Sequence, residues 1–126
     1  VKKQKTLVII LQYNSNHYTD PLFEELNKYK RDDYDIIVID NGSDKEDKIS
    51  KYTTHTLNRN VFYGGGLNIG FKFMLENKQY DSLLFLNNDI IVSGYNFVNE
   101  LKRNLFNNKN TMIVSPCVLQ PSGKCY

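Results

Sequence analysis

The sequence predicts an α/β fold: a doubly wound, mostly parallel sheet carried by a single domain over residues 1–126. Three observations predict it. Short apolar runs rich in β-branched residues alternate with stretches whose apolar residues recur at helical spacing. The runs are apolar almost throughout instead of alternating, which marks strands covered on both faces by helices. The chain has 126 residues, 40% of them hydrophobic and 13% aromatic, enough to bury roughly two-thirds of its unfolded surface.

Taken in order, Thr6 to Leu11 reads as the first buried strand. Thr19-Asp20-Pro21 then supplies an N-cap and a first-turn proline, and Leu22, Phe23, Leu26 and Tyr29 follow at helical spacing. Asp35 to Ile39 is the second strand. Asn41-Gly42 makes a turn, and Ser43 with Glu46 fits a capping box for a short helix through Ser50. Thr53 to Leu57 is the third strand. Gly64-Gly65-Gly66 opens a helix with Leu67, Phe71, Met74 and Leu75 on one face, and Ser82 to Leu86 is the fourth strand. Gly94 to Phe106 reads as an amphipathic helix with Phe97, Val98, Leu101 and Leu105 inward, before a fifth strand from Met112 to Val118.

Composition removes several function classes. A net charge of +2, with both signs interspersed, gives no basis for nucleic-acid binding. Apolar runs such as Leu7 to Leu11 are too short to span a bilayer. The Lys2–Lys5 region leads straight into a strand, unlike a signal peptide. Cys117 and Cys125 make neither a disulfide framework nor a zinc site, and are expected to be reduced thiols of a cytoplasmic protein.

In a doubly wound sheet, ligands bind beyond the carboxyl ends of the strands. The residues there are Gln12-Tyr13-Asn14, Asp40-Asn41-Gly42, Asn60 to Gly66, and Asn87-Asn88-Asp89. Asp40 closes an apolar strand, where a carboxylate can accept from a base N–H or from ribose hydroxyls. The glycine run allows close backbone approach, and N–H groups at a helix start suit a phosphate. It is not the dinucleotide fingerprint, which belongs after the first strand. Asp89 follows the most apolar strand, a natural place for a ligand to Mg²⁺ or Mn²⁺ bridging diphosphate oxygens.

Together these segments resemble family 2 glycosyltransferases of the GT-A type, especially the bacterial rhamnosyltransferase-like and polysaccharide-assembly branch. The resemblance covers nearly the whole chain. TLVIILQYNS is similar to the family's opening strand and nucleoside-contacting Tyr-Asn turn, and IIVIDNGS to the strand whose aspartate, here Asp40, binds the base. RNVFYGGGLNIG matches the family's glycine segment at Asn60, Gly65, Gly66, Asn68 and Gly70. LFLNNDI resembles the Asp-x-Asp region, and MIVSPCVLQPSGK the strand and hairpin after it. The resemblance implies nucleotide contacts from Gln12, Tyr13, Asn14, Asp40, Asn60, Gly65, Gly66, Asn68 and Asn88, with Asp89 as the metal ligand. It implies inverting transfer from a UDP- or dTDP-sugar to a saccharide or lipid-linked acceptor. The expected setting is cytoplasmic, peripheral at the inner membrane.

Three positions depart from the family pattern. Phe62 stands where glycine is common, Asn87 takes the first Asp-x-Asp position, and Lys45 replaces an acidic residue that Asp44 can substitute. Family members also continue into an acceptor-binding half carrying the base that deprotonates the acceptor hydroxyl. No residue here matches that base, and His17 and His55 read as surface residues. The chain is therefore expected to bind donor and metal while transferring sugar poorly, and to expose a face suited to homodimerisation. A non-catalytic nucleotide-sugar-binding or interaction module on the same fold is the alternative. A receiver domain is excluded by the missing acidic pair and lysine. A sugar nucleotidyltransferase would need a glycine-rich, basic loop where Gln12-Tyr13-Asn14-Ser15 stands.

Overall fold

Four parallel strands form the sheet in the computed structural model, which describes residues 4–92 and 96–125. The elements are β1 (Thr6–Gln12), α1 (Asn16–Lys28), β2 (Tyr34–Asp40), a 3₁₀ turn (Glu46–Lys48), β3 (His55–Thr56), α2 (Phe62–Glu76), β4 (Ser82–Asn87) and α3 (Phe97–Phe106). The strand order is β3-β2-β1-β4, so the α/β fold class expected from the alternation holds. The chain divides into two compact units, Val1–Ser93 and Gly94–Tyr126, and the sheet lies wholly in the first.

β1 is central and buried along its whole length, which is why its sequence is apolar without alternation. Leu7, Ile9 and Leu11 join Ile37 and Ile39 in the core beneath α2, with Ile69 and Phe73 packed against them. Alternation along the strands sends Val8, Ile10 and Val38 to the opposite face, where α1 buries Leu22 and Leu26. Tyr34 fastens that layer by donating its hydroxyl to the Leu26 carbonyl at 2.6 Å. Each of these buried aliphatic side chains is worth roughly 1.5–3 kcal/mol over leaving it in water.

Several expected boundaries change. α1 begins at Asn16, not at Thr19; Thr19 is inside the helix, its hydroxyl bonded back to the Ser15 carbonyl, and Pro21 falls in the second turn. The Ser43–Glu46 capping box does not form. Ser43 is drawn to Asp40, and the 3₁₀ turn starts after Lys45. Of Thr53 to Leu57, only His55–Thr56 joins the ladder, with Thr54 and Leu57 donating to Val38 and Asp40 at its ends.

The largest revision concerns α2. The helix opens at Phe62, two residues before the glycine run expected to open it, so Gly64, Gly65 and Gly66 lie within its first turns, and none of the three has positive φ. Gly66 and Gly70 face β1 so closely that a Cβ would stand 2.5 Å from Leu11 Cδ1 and 2.2 Å from Ile9 Cδ1. The face turned to the sheet thus has Gly66 and Gly70 buried, with Ile69, Phe73 and Met74 half-buried against the core, while Phe71 and Leu75 are exposed instead of inward. Of the four residues expected inward, Met74 does pack on the core and Leu67 is half-buried; the apolar period missed the rest of the face because two of its residues are glycines.

In the second unit, α3 has Val98 buried and is preceded by Asn96 as N-cap; the expected start at Gly94 lies outside the described residues. Met112 to Val118 is not a strand. Met112 and Ile113 are 89% and 87% exposed, and the segment forms no ladder. An apolar run becomes a strand only when a neighbouring edge takes its N–H and C=O groups. Beyond it, Leu119 and Cys125 form an antiparallel bridge around a turn with Gly123 at φ 80. That hairpin brings Cys117 and Cys125 to a Cα separation of 6.2 Å, and they form a disulfide, correcting the expectation of two reduced thiols.

Two predictions follow from this packing. Gly42 has φ 71, and an added Cβ would meet the Arg59 backbone carbonyl carbon at 2.3 Å. Neither the dihedral nor backbone atoms can yield cheaply, so Gly42→Ala should cost about 1–3 kcal/mol, measured by urea denaturation. At the other end of the sheet, Asp35 accepts from Lys5 Nζ at 2.7 Å and from the Tyr80 hydroxyl at 2.8 Å, with Lys30 at 3.6 Å. Burial pushes the Tyr80 phenol up, aided by the Asp35 hydrogen bond and charge, from 10.0 to about 12. Burial also pushes the Asp35 carboxyl up, but the Lys5 and Tyr80 hydrogen bonds and the lysine charges outweigh it and hold the group below its ordinary value. A raised acid loses protons later when folded, so stability should fall as pH rises from 10 towards 12; a lowered one should lose stability as pH falls below its ordinary value of 3.8. Melting curves of Tyr80→Phe should be flatter on the alkaline side, and those of Asp35→Asn flatter on the acid side.

Candidate functional site

The strand order reverses direction at β1: β2 and β3 lie on one side and β4 on the other. Loops leaving adjacent strands diverge at such a point and leave a crevice above the carboxyl ends. A cleft of about 370 Å³ lies there, lined by Leu11, Gln12, Tyr13, Ser15, Asn41, Asn60, Phe62, Tyr63, Asn87, Asn88 and Asp89.

Its floor is a polar knot. Gln12 and Asp40 are register partners at the ends of β1 and β2, so their side chains share one face of the sheet. Asp40 is 0% exposed. Its carboxylate accepts from Gln12 Nε2, from the Ser43 hydroxyl and, at 3.1 Å, from the Ser43 N–H. A buried carboxylate needs such donors to offset lost hydration. Ser43 also accepts from the Asn14 N–H at 2.8 Å. Asn14 holds φ 51, a conformation asparagine tolerates, and its amide donates to Asp44 and accepts from Lys45 N–H. The loops after β1 and β2 are thereby laced together.

A second clamp sets the entry to α2. Asn41 is buried; its Oδ1 accepts from Val61 N–H at 3.0 Å, and its Nδ2 donates to Asn60 Oδ1 at 3.1 Å and the Phe62 carbonyl at 3.2 Å. Asn60 Oδ1 also accepts from Phe62 N–H at 2.7 Å. Between these bonds Phe62 is held at φ 61 with its ring 80% exposed. The left-handed turn that glycine would supply is therefore kept with a phenylalanine, at a cost of roughly 1–2 kcal/mol.

The third wall comes from the end of β4. Asn88 Nδ2 donates to Ser15 Oγ and, at 2.9 Å, to Thr19 Oγ1. Both belong to the start of α1, so this asparagine is aimed by the neighbouring helix. Asp89 is exposed and is the one carboxylate lining the cleft among the described residues. No group of three or more His, Cys, Asp or Glu residues suited to a metal occurs among the described residues. The donor set still fits a hard cation: one carboxylate with amide oxygens at Asn87 and Asn88 suits Mg²⁺ or Mn²⁺, which take most of their remaining ligands from substrate phosphates and water.

Of the residues singled out from sequence, the fold gathers Gln12, Tyr13, Asn60, Asn88 and Asp89 on the cleft. Asn14 braces a loop beside it, and Asp40 lies beneath it. Gly65, Gly66 and Asn68 are within α2 and do not line it: Gly65 sits against Val61, Gly66 against Leu11, and Asn68 is exposed. His17 and His55 are exposed surface residues. Sequence reading placed Asn41 and Tyr63 at strand ends without giving either a role, and took Ser43 and Thr19 for helix caps instead of partners of Asp40 and Asn88. One signal was available: Gly42 already supplies the turn's positive φ, which frees Asn41 for another task.

The family profile described as Glycosyl transferase family 2 matches residues 7–120. A comparison with curated proteins found no significant match.

The Phe62 geometry gives a test. Phe62→Gly removes the left-handed penalty but adds backbone entropy to the unfolded chain, so a net gain of about 0.5–1 kcal/mol is expected in chemical denaturation. Asn41→Ala should cost about 1–3 kcal/mol, because it strands buried groups at both ends of the clamp.

Proposed function

The chain belongs to glycosyl transferase family 2, and on that premise we propose that its cleft is the donor site for an inverting sugar transfer. The family implies sugar transfer from nucleotide sugars. The donor proposed here is a UDP- or dTDP-sugar, and the acceptor a saccharide or lipid-linked saccharide. The observation that carries this reading is the meeting of Tyr13 from β1 with Asp89 from β4 on one cleft at the strand-order reversal.

The two residues suit opposite ends of a nucleoside diphosphate. Tyr13 offers an aromatic face for a base, and Phe62 and Tyr63 also line the cleft. Asp89 would hold a divalent cation with Asn87 and Asn88. Such an ion, when bound, offsets the charge that develops on a departing diphosphate. Asn60, whose Oδ1 is held by Asn41 and Phe62, would present its Nδ2 to ribose or phosphate oxygens between those ends, and Asn88, whose Nδ2 is committed to Ser15 and Thr19, would present its Oδ1 to the cation. Their amides are pre-oriented, so little rotamer entropy is lost on binding. Asp40 and Asn14 act from below and beside the site by fixing the loops that carry these groups.

Among the described residues no helix is long and apolar enough to cross a membrane. The setting proposed is the cytoplasmic face of the membrane, in the assembly of a cell-surface polysaccharide.

Calorimetric titration with UDP and dTDP, each with and without Mn²⁺, tests the donor site. The metal should tighten binding about tenfold or more, and Asp89→Ala should abolish that gain while leaving the melting temperature unchanged, since charge-assisted contacts are worth about 1.5–3 kcal/mol. Binding that ignores both the metal and the substitution would favour a plain interaction module. Release of UDP or dTDP from the sugar nucleotides in the presence of saccharide acceptors then tests transfer itself.

A further inference from the structure

Phe62 burdens the fold in two ways. Its backbone holds φ 61, a region that a residue with a Cβ occupies only under strain. Its ring is 80% exposed, so packing within the chain offsets little of that strain. The turn is held by the Phe62 N–H, which donates to Asn60 Oδ1 at 2.7 Å, and by the Phe62 carbonyl, which accepts from Asn41 Nδ2 at 3.2 Å. Both bonds use backbone atoms that glycine would supply equally well. Local structure therefore calls for glycine here, and folding does not account for the phenyl ring. Strain of this kind is kept where a side chain has a task outside the fold. The ring lines the cleft with Tyr13 and Asn60, which gives that task a place.

We infer that Phe62 is a stacking platform for a substrate's sugar ring, and that the left-handed turn serves to present its face at the cleft mouth. The inference rests on the cleft being the donor site of a sugar transfer. A sugar suits this ring better than the base does. Tyr13, at 41% exposure, already offers the base a more enclosed aromatic face. The cleft, at about 370 Å³, is small for a ligand site, so a nucleoside diphosphate fills much of it and leaves the sugar at the mouth. A pyranose has a face of C–H bonds and a rim of hydroxyls. On a ring open to solvent, that face is covered while the hydroxyls stay hydrated, so no polar group is stranded. The sugar carried by the donor and the sugar at the end of the acceptor share this chemistry.

The test has two arms, each run with Mn²⁺ on the wild-type chain, Phe62→Gly, Phe62→Leu and Phe62→Trp. Calorimetry compares UDP with UDP-glucose, UDP-galactose and UDP-N-acetylglucosamine, and dTDP with dTDP-rhamnose. Saturation-transfer NMR follows the methyl glycosides of the same sugars on protein loaded with UDP or dTDP. If the donor sugar lies on the ring, one sugar nucleotide should bind wild type about fivefold tighter than its free diphosphate. If the acceptor sugar does, one glycoside should bind the loaded protein. Phe62→Gly and Phe62→Leu should erase the gain or the glycoside signal, and Phe62→Trp should keep it. Phe62→Gly relieves the left-handed strain, so a loss there is not a loss of folding. Variants that weaken a diphosphate and its sugar nucleotide by the same factor, with no glycoside signal lost, overturn the inference. So does a sugar gain that survives both substitutions, or wild type that shows neither gain nor glycoside binding. Wild type that binds neither UDP nor dTDP would instead overturn the nucleotide site itself.

Discussion

Asp40 ends β2 with its carboxylate wholly removed from water, and the loops above the sheet are arranged around that constraint. Desolvating a carboxylate is expensive unless several donors replace its hydration. Gln12 supplies one from the neighbouring strand, and Ser43 supplies two from three residues along the chain. Ser43 then takes the Asn14 N–H, and Asn14 takes Lys45. One buried charge thereby fixes the end of β1, the end of β2 and the loops leaving both. The cleft inherits its floor from this arrangement, which leaves Gln12 Oε1 buried and without a partner among the described residues.

The position of α2 follows from a different constraint, the room available over β1. That strand fills its α2 face with Leu7, Ile9 and Leu11, so a helix can settle on it only where its own residues are small. Gly66 and Gly70 recur one turn apart and allow that approach. The close seat draws the start of α2 to the strand ends, where Asn41 clamps it and Phe62 takes the left-handed turn. Phe62 and Tyr63 thereby reach the cleft that Tyr13 also lines. Glycines that look from sequence like a phosphate cradle act here mainly by bringing helix and strand together.

The second unit obeys a local logic of its own. The Leu119–Cys125 bridge and the turn at Gly123 return the chain on itself, and Cys117 meets Cys125 because of that return. Met112 to Val118 forms no ladder among the described residues, and Met112, Ile113 and Val118 are exposed.

The sequence by itself determined the alternation of strands and helices, the burial of β1 and β2 on both faces, and the polar character of each strand end. Those features are written in periodicity and turn chemistry, which act over a few residues. Gln12, Tyr13, Asn88 and Asp89 could be picked out because they follow apolar runs, and Asn60 because it precedes the glycine segment that resembles the family's. Only the tertiary structure decided that β1 lies between β2 and β4, that Gln12 stands opposite Asp40, and that the glycine face of α2 turns inward. Each of these depends on pairing or packing between residues distant in the chain. Asp40 shows the difference most clearly: its place after an apolar run is legible in sequence, but its complete burial beneath Gln12 is settled by the register of two strands.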